Sequence, residues 1–279
     1  MIYAPGCVRT MAGLRLCFVV ILGLAVLMDC SDAHSLPDIT DPQFISDCVQ
    51  THNQYRSATN PFASNMLYMT WDDALAVTAQ AWARFCIRKH NIYLREAKRV
   101  HPTFPSVGEN LWFGYPPSHF SVELAMKNWV NDELKYYNYG PNACSTVCGH
   151  YTQAVWADSY KVGCAVQICP NGVEGFSTKE SALFVCNYAP AGNLNGARPY
   201  EEGKPCSSCG GGRCENNLCR DPVRDKLIAY NWSPDWDPEK RRCGAFCKAV
   251  LVLRPLALML IFLSAYTVKI YYPDMFAYE

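Results

Sequence analysis

Apolar residues recur at helical spacing in three stretches of the chain. The first, predicted over residues 42–57, begins at Asp41-Pro42, a helix cap followed by a proline at the first helical position. A second helix is predicted after Trp71-Asp72 and a third over residues 120–136, because apolar side chains return every three or four positions in both. In the third helix Glu133 follows Trp129 by one turn, so it lies on the apolar face, where a carboxylate needs a partner.

Two later stretches have the character of β-strands. Residues 162–169 and 182–188 are rich in Val, Ile, Phe and Tyr, and the turn sequence Pro170-Asn171-Gly172 lies between them. Residues 89–105 are polar and contain proline, which predicts a long loop. Helices interleaved with a few mainly antiparallel strands predict an α+β layered domain over residues 40–198.

The N-terminus has the pattern of a secretory signal. Arg9 and Arg15 precede an apolar run at 16–28, and Ser31-Asp32-Ala33 supplies small residues near a cleavage site. We predict a cleaved signal peptide over residues 1–33. An uncleaved anchor is the weaker alternative, because the apolar run is shorter than the roughly 20 residues needed to span a bilayer.

Sixteen cysteines fit a protein that folds in an oxidising compartment. Three of them lie in the signal segment, so the predicted mature chain holds an odd number and at least one lacks an intramolecular partner. Four others lie close together among glycines at 203–220, where there is little to bury. We predict a disulfide-stapled hinge there, with a zinc knuckle as the alternative.

After the hinge, residues 221–248 are expected to form a polar, aromatic stalk. The stalk contains Asn231-Trp232-Ser233, an N-glycosylation pattern weakened by the proline that follows it. Asn231 is therefore a glycosylation candidate.

Residues 249–268 are nearly all apolar and match one membrane crossing, which leaves a short tail at 269–279. Arg254 is costly at mid-membrane but can snorkel near one end of a helix. A lipid-anchor signal with Gly244-Ala245 as its small-residue site is the rival interpretation. The polar C-terminal ending argues against it, since such signals normally end apolar.

Charge gives no support for a nucleic-acid partner, because the chain has 25 basic and 25 acidic residues. Four titratable residues stand out instead: His101 in the polar loop, Glu109, Glu133, and His150 in the segment 149–156. Two imidazoles and two carboxylates are the residue types of a divalent-metal or acid–base site. The spacing of these four residues alone makes them a candidate for such a site.

Four motifs together resemble the CAP superfamily, which groups cysteine-rich secretory proteins, antigen 5 and plant pathogenesis-related proteins. The two signature-like segments are Gly149-His150-Tyr151-Thr152-Gln153-Ala154-Val155-Trp156 and Phe184-Val185-Cys186-Asn187-Tyr188-Ala189-Pro190-Ala191-Gly192-Asn193. The other two are His52-Asn53-Gln54-Tyr55-Arg56 and Gly108-Glu109-Asn110-Leu111. Within the superfamily the hinge and apolar C-terminal segment are similar to those of the membrane proteins related to glioma pathogenesis-related protein.

The resemblance implies a three-layer α-β-α CAP sandwich with a central cleft, followed by the small disulfide-rich hinge and the membrane segment. It also implies that His101, Glu109, Glu133 and His150 form the family's cleft tetrad, which binds zinc or another divalent cation. Lipids, sterols or a protein are the candidate ligands that it suggests, through fold-level analogy.

The resemblance further implies four disulfides, and it leaves other pairings open. The implied bridges are Cys86–Cys169, Cys164–Cys186, Cys206–Cys214 and Cys209–Cys219. Cys48, Cys144 and Cys148 compete for one bond, and the partners of Cys243 and Cys247 are undecided.

These features favour a non-enzymatic, membrane-attached extracellular protein that binds a divalent cation and a lipid or protein ligand. The alternative is a secreted or lipid-anchored metal-dependent hydrolase or protease. No HExxH sequence is present, and neither Ser106 nor Ser145 lies in a nucleophile-elbow pattern. Only two imidazoles are in the set, whereas catalytic zinc usually has three protein ligands.

Overall fold

The computed structural model describes residues 36–240 and 245–271. The predicted signal peptide at 1–33 lies outside the described residues, as does most of the short tail.

Four helices of the main domain begin where the sequence offers capping groups or a glycine. They are α1 (Pro42–Arg56), α2 (Asp73–Ala83), α3 (Val122–Leu134) and α4 (Gly149–Ala154). The carboxylate of Asp41 accepts the backbone N–H of Gln43 at 2.8 Å, and Asp72 accepts that of Leu75 at 3.0 Å. These caps satisfy N–H groups that have no partner within the helix.

The strands of the described residues are β1 (Thr70–Trp71), β2 (Gly108–Gly114), β3 (Tyr137–Asn138), β4 (Ala143–Cys144), β5 (Lys161–Cys169), β6 (Ser181–Ala189), β7 (Arg213–Glu215) and β8 (Leu218–Arg220). The central sheet has four of them in the order β1-β5-β6-β2, with β1 parallel to β5 and the other pairs antiparallel. Two short pairs, β3 with β4 and β7 with β8, lie outside it.

Strand β6 is buried along its whole length because helices cover both faces of the sheet. Leu183 and Val185 pack in one core cluster with Leu75 of α2. On the opposite face, the ring of Phe184 stacks on Trp129 of α3 at 5.3 Å. Successive side chains of a strand point to opposite faces, so β6 joins the two helical layers. The three-layer α-β-α sandwich predicted from the resemblance is confirmed.

Disulfides join the layers and staple the hinge. The structure pairs Cys86 with Cys169, Cys164 with Cys186, Cys206 with Cys214 and Cys209 with Cys219, the same four bridges that the resemblance implies. The contested bond forms between Cys144 and Cys148, and Cys48 is a free cysteine, buried in α1. The side chains of Cys243 and Cys247, whose partners the sequence leaves undecided, lie outside the described part of the chain. A zinc knuckle in the hinge is excluded in this state, because its four cysteines are bonded to one another in pairs.

The segment predicted to be a stalk differs from that expectation, because residues 225–240 lie along the main domain. Trp236 is 2% exposed, and its indole N–H donates to the carbonyl of Arg99 at 2.8 Å. The ring of Tyr230 packs edge-on against His101 at 5.0 Å. We call residues 225–240 the strap. Its aromatic side chains have an apolar face to cover, which a free stalk would leave in water.

The last described element is α5 (Ala245–Tyr271), which contains Pro255. An 18-residue window within Lys248–Tyr271 has a mean hydropathy of 2.1, and the segment is long and apolar enough to cross a membrane. This span includes the segment 249–268 chosen from the sequence. Asn231 is exposed in the strap, and its glycosylation stays a prediction.

Candidate metal site in the cleft

His150 lies in the first turn of α4, where Glu133 of α3 fixes both its backbone and its ring. The imidazole Nδ1 donates to Oε1 of Glu133 at 2.5 Å. The other carboxylate oxygen accepts the backbone N–H groups of His150 at 2.9 Å and of Tyr151 at 3.1 Å. Glu133 therefore satisfies free N–H groups at the start of α4 and also sets the ring tautomer.

A second histidine–carboxylate pair joins His90 to Glu109. The Nδ1 atom of His90 donates to Oε1 of Glu109 at 2.9 Å, and the same oxygen accepts the backbone N–H of Asn91 at 3.0 Å. The other oxygen lies 3.4 Å from the side-chain nitrogen of Asn187. The Glu109 side chain is fully buried, whereas that of His90 is 58% exposed. The hydrogen bond to the Glu109 carboxylate raises the pKa of His90.

His101 does not belong to this pair of sites. Its side chain is fully buried, and its Nε2 donates to the carboxylate of Asp72 at 3.1 Å. Its Nδ1 accepts the backbone N–H groups of Thr103 at 3.1 Å and Phe104 at 3.0 Å. Both ring nitrogens are thus used within the fold, and the strap covers the ring through Tyr230. The assignment of His101 to the tetrad is corrected to His90, which the sequence reasoning missed.

The two pairs are connected through strand β2. Asn110, next to Glu109, donates its side-chain N–H to the carbonyl oxygen of His150 at 3.0 Å. Gly108 lies so close to the Gln153 side chain of α4 that a β-carbon could not fit between them. The absence of a side chain at Gly108 therefore allows β2 and α4 to approach each other.

A cleft of about 730 Å³ opens beside this contact. Asn193 lines it and also donates to the carbonyl of Gly149, the residue before His150, at 2.8 Å, whereas His150 itself is not among the lining residues. Its lining includes His90, Leu94, Arg95, Ser106, Glu109, Gln153, Asn193 and Leu194. A volume of this size is in the range of small-molecule sites.

The donor groups fit a divalent cation bound by imidazole. Each of His90 and His150 has its Nδ1 fixed on a carboxylate, which leaves Nε2 as the ligand atom, and this arrangement is usual for metal-binding histidines. The two glutamates orient the rings through these hydrogen bonds. Within the described part of the chain, one group of three or more ligand atoms lies mutually within 4.8 Å, namely Cys206, Cys209 and Cys219, and disulfides occupy all three. A cation in the cleft would complete its coordination with water or an incoming ligand.

Comparison with known proteins agrees with this fold. The family model described as "CAP: Cysteine-rich secretory protein family" matches residues 49–188. The chain is 45% identical over 242 residues to GLIPR1-like protein 1 of Bos taurus, covering 87% of this chain and 96% of the relative. It is also 45% identical over 246 residues to glioma pathogenesis-related protein 1 of Mus musculus, covering 87% and 90%.

A solved structure has a similar fold. The crystal structure of NaASP2 with Zn²⁺ aligns with a TM-score of 0.52 at 28% identity, covering 67% of this chain and all of that one. The sandwich and these matches define the class as that of the cysteine-rich secretory domains. The protein belongs to the CAP family and is of the GLIPR1-like kind, with one C-terminal helix long and apolar enough to cross a membrane.

Proposed function

We propose that this protein is a non-enzymatic, membrane-attached extracellular CAP-domain protein that binds a divalent cation through His90 and His150. The observation that carries the proposal is the pair of histidines whose Nδ1 atoms are held by Glu109 and Glu133. Zinc is the first candidate, since neutral imidazole is one of its preferred ligands and NaASP2 was crystallised with Zn²⁺.

The cleft beside the cation is the proposed site for a lipid, sterol or protein ligand. Leu94 and Leu194 give it apolar surface, and Leu194 is 57% exposed. A bound cation with water in its remaining positions can accept a polar group of such a ligand, while the leucines contact its apolar part. The cleft thus supports binding without requiring a reaction.

The alternative function as a metal-dependent hydrolase or protease has less support. The His150–Glu133 pair has the geometry of a base and its orienting carboxylate, but a nucleophile is needed as well. The hydroxyl of Ser145 donates to the carbonyl of Tyr136 at 3.3 Å. Across residues 36–240, neither Ser106 nor Ser145 has a hydrogen bond to a histidine.

Metal analysis of the purified full-length protein in detergent tests the metal site. The double variant His90→Ala/His150→Ala should lose bound zinc, and His119→Ala, which alters an exposed histidine, should retain it. Equal zinc content in the double variant and the unaltered chain would refute the site.

Two further measurements separate the remaining alternatives. Protein that stays in membranes after cleavage of glycolipid anchors by phospholipase supports a spanning helix, whereas release to the medium favours the lipid anchor. A peptidase or esterase activity that disappears in Glu133→Gln would contradict the non-enzymatic assignment.

A further inference from the structure

We propose that the main domain lies directly on the membrane surface, with residues 84–99 as the contact face and anionic lipid headgroups of the leaflet that faces the domain as the partner. We call residues 84–99 the basic face. The inference rests on the proposed membrane anchor, and it adds the orientation of the domain and the chemistry of its contact.

The strap ties the C-terminal end of the domain to this face. The side chain of Arg84 forms ion pairs with Asp237 at 2.7 Å and Glu239 at 2.6 Å. The ring of Trp236 packs on the domain, stacked on Tyr93 at 5.2 Å and edge-on to Trp82 at 6.1 Å. A buried tryptophan and a doubly paired arginine hold residue 239 at the domain surface.

The chain has little length between this fixed point and the apolar helix. α5 begins at Ala245, five residues after Lys240. Even a fully extended chain spans at most about 3.3–3.6 Å per residue, so the helix begins within roughly 18 Å of the strap's end. A free stalk of residues 221–248 would have allowed several times that distance. The face that holds the strap is therefore the part of the domain nearest the membrane.

This face is strongly basic although the whole chain is neutral. Residues 84–99 contain six Lys or Arg residues and one acidic residue, Glu96. Arg84 and Arg99 are already paired with carboxylates of the strap and of Glu96. Arg88, Lys89, Arg95 and Lys98 are exposed and, among the described residues, have no carboxylate within 4.0 Å. Their charges remain available for anionic groups on a surface that faces the domain.

Apolar side chains on the same face favour a lipid surface over a soluble acidic partner. Ile92 is 72% exposed and Phe85 is 40% exposed, among the basic residues just named. A mixture of exposed apolar and basic side chains is typical of segments that lie in the headgroup region of a bilayer.

Hydrogen exchange of the full-length protein in lipid nanodiscs tests the contact. Backbone amides of residues 84–99 should exchange about fivefold more slowly in nanodiscs with 30% phosphatidylserine than in pure phosphatidylcholine, and 0.5 M NaCl should remove the difference. The triple variant Lys89→Glu/Arg95→Glu/Lys98→Glu should abolish this protection. The matched control Lys127→Glu/Lys135→Glu/Lys204→Glu reverses three exposed charges outside the basic face and should keep it.

The tether is tested separately. Insertion of twenty Gly/Ser residues after Lys240 leaves the strap intact, yet it lowers the effective concentration of the face at the membrane, so protection should decrease. The same insertion after Tyr271 should have no effect. Unchanged protection with the insertion after Lys240 would overturn the proposed tether.

Three other outcomes would overturn the lipid contact, alone or together with the membrane anchor. Protein that fails to remain in nanodiscs would overturn the proposed anchor together with this inference. Protein that remains but shows equal exchange of residues 84–99 in the two lipids would overturn this inference alone. Protection by a soluble sulfated oligosaccharide, without any difference between the lipids, would assign the face to a glycan and overturn the lipid contact.

Discussion

Glu133 accepts three hydrogen bonds at the start of α4, from the imidazole ring and the backbone N–H of His150 and from the backbone N–H of Tyr151. One carboxylate thus connects the placement of a helix with the direction of a candidate metal ligand. Because a carboxylate only accepts hydrogen bonds, it fixes the ring with Nδ1 as the donor and Nε2 as the free atom.

This relationship predicts the effect of Glu133→Gln. The amide has the same size, but one of its two polar ends is a donor, so it cannot accept all three hydrogen bonds. We expect zinc affinity to fall by about 10- to 100-fold, the usual effect of losing a group that orients a metal ligand. Competition titration with a zinc chelator measures the change.

Glu123→Gln is the matched control for this experiment. Glu123 lies in the first turn of the same helix and is exposed, so its substitution should leave zinc affinity unchanged. Equal affinity in the Glu133→Gln variant would show that the carboxylate does not orient the ligand.

A second prediction separates His101 from the metal site. His101→Ala leaves a buried space and removes the acceptor for the N–H groups of Thr103 and Phe104. We expect about 2–4 kcal/mol of destabilisation, with zinc content unchanged. Denaturant unfolding and metal analysis of the same sample measure both quantities, and His119→Ala serves as the exposed control. Loss of zinc from a folded His101→Ala variant would restore His101 to the site.

The sequence predicted the layers of the fold better than it predicted the site. Helical spacing located α1, α2 and α3 within a few residues, and it placed Glu133 on the inward face, where its side chain is now found hydrogen-bonded to His150. These features follow from local periodicity and burial, which a single sequence contains.

The sequence analysis differs from the structure in two places, the choice of His101 and the predicted stalk, and both lie in segments without periodicity. His90 and His101 lie at either end of one loop, and nothing in the residue types shows which ring faces the cleft. That choice is made by tertiary contacts, to Glu109 for His90 and to Asp72 for His101. The strap looked polar, and its aromatic content was the available signal, since Trp236 needed an apolar partner.

His52 gives a prediction about acid. Its Nδ1 donates to the carbonyl of Cys48 at 2.6 Å, and its Nε2 accepts the hydroxyl of Tyr188 at 2.9 Å. Burial lowers the pKa of His52 from 6.5 to about 4. The unfolded chain therefore binds a proton at a higher pH than the folded chain does.

This difference in proton binding sets the direction in which stability changes with pH. The contribution of His52 to stability is complete above pH 6.5 and is lost as the pH falls to about 4, by about 3 kcal/mol. Unfolding free energies measured across this range should show that slope in the unaltered chain and in His119→Ala. The slope should be smaller in His52→Asn, and an identical slope there would contradict the assignment.

Arg56 gives the last prediction, because it supports the helix that carries His150. Its side chain is buried, and its nitrogens donate to the carbonyls of Leu67, Ala154, Trp156 and Ala157 at 2.7–3.2 Å. Burial lowers the pKa of Arg56 to about 9.

A lysine has three donors at one point, so Arg56→Lys would leave carbonyls at the end of α4 unpaired. We expect a loss of about 3 kcal/mol of stability and weaker zinc binding, because α4 would loosen. Arg88→Lys alters an exposed arginine that does not line the cleft, and it should change neither quantity by a measurable amount. Equal stability of Arg56→Lys and the unaltered chain would show that these four carbonyls do not depend on the guanidinium.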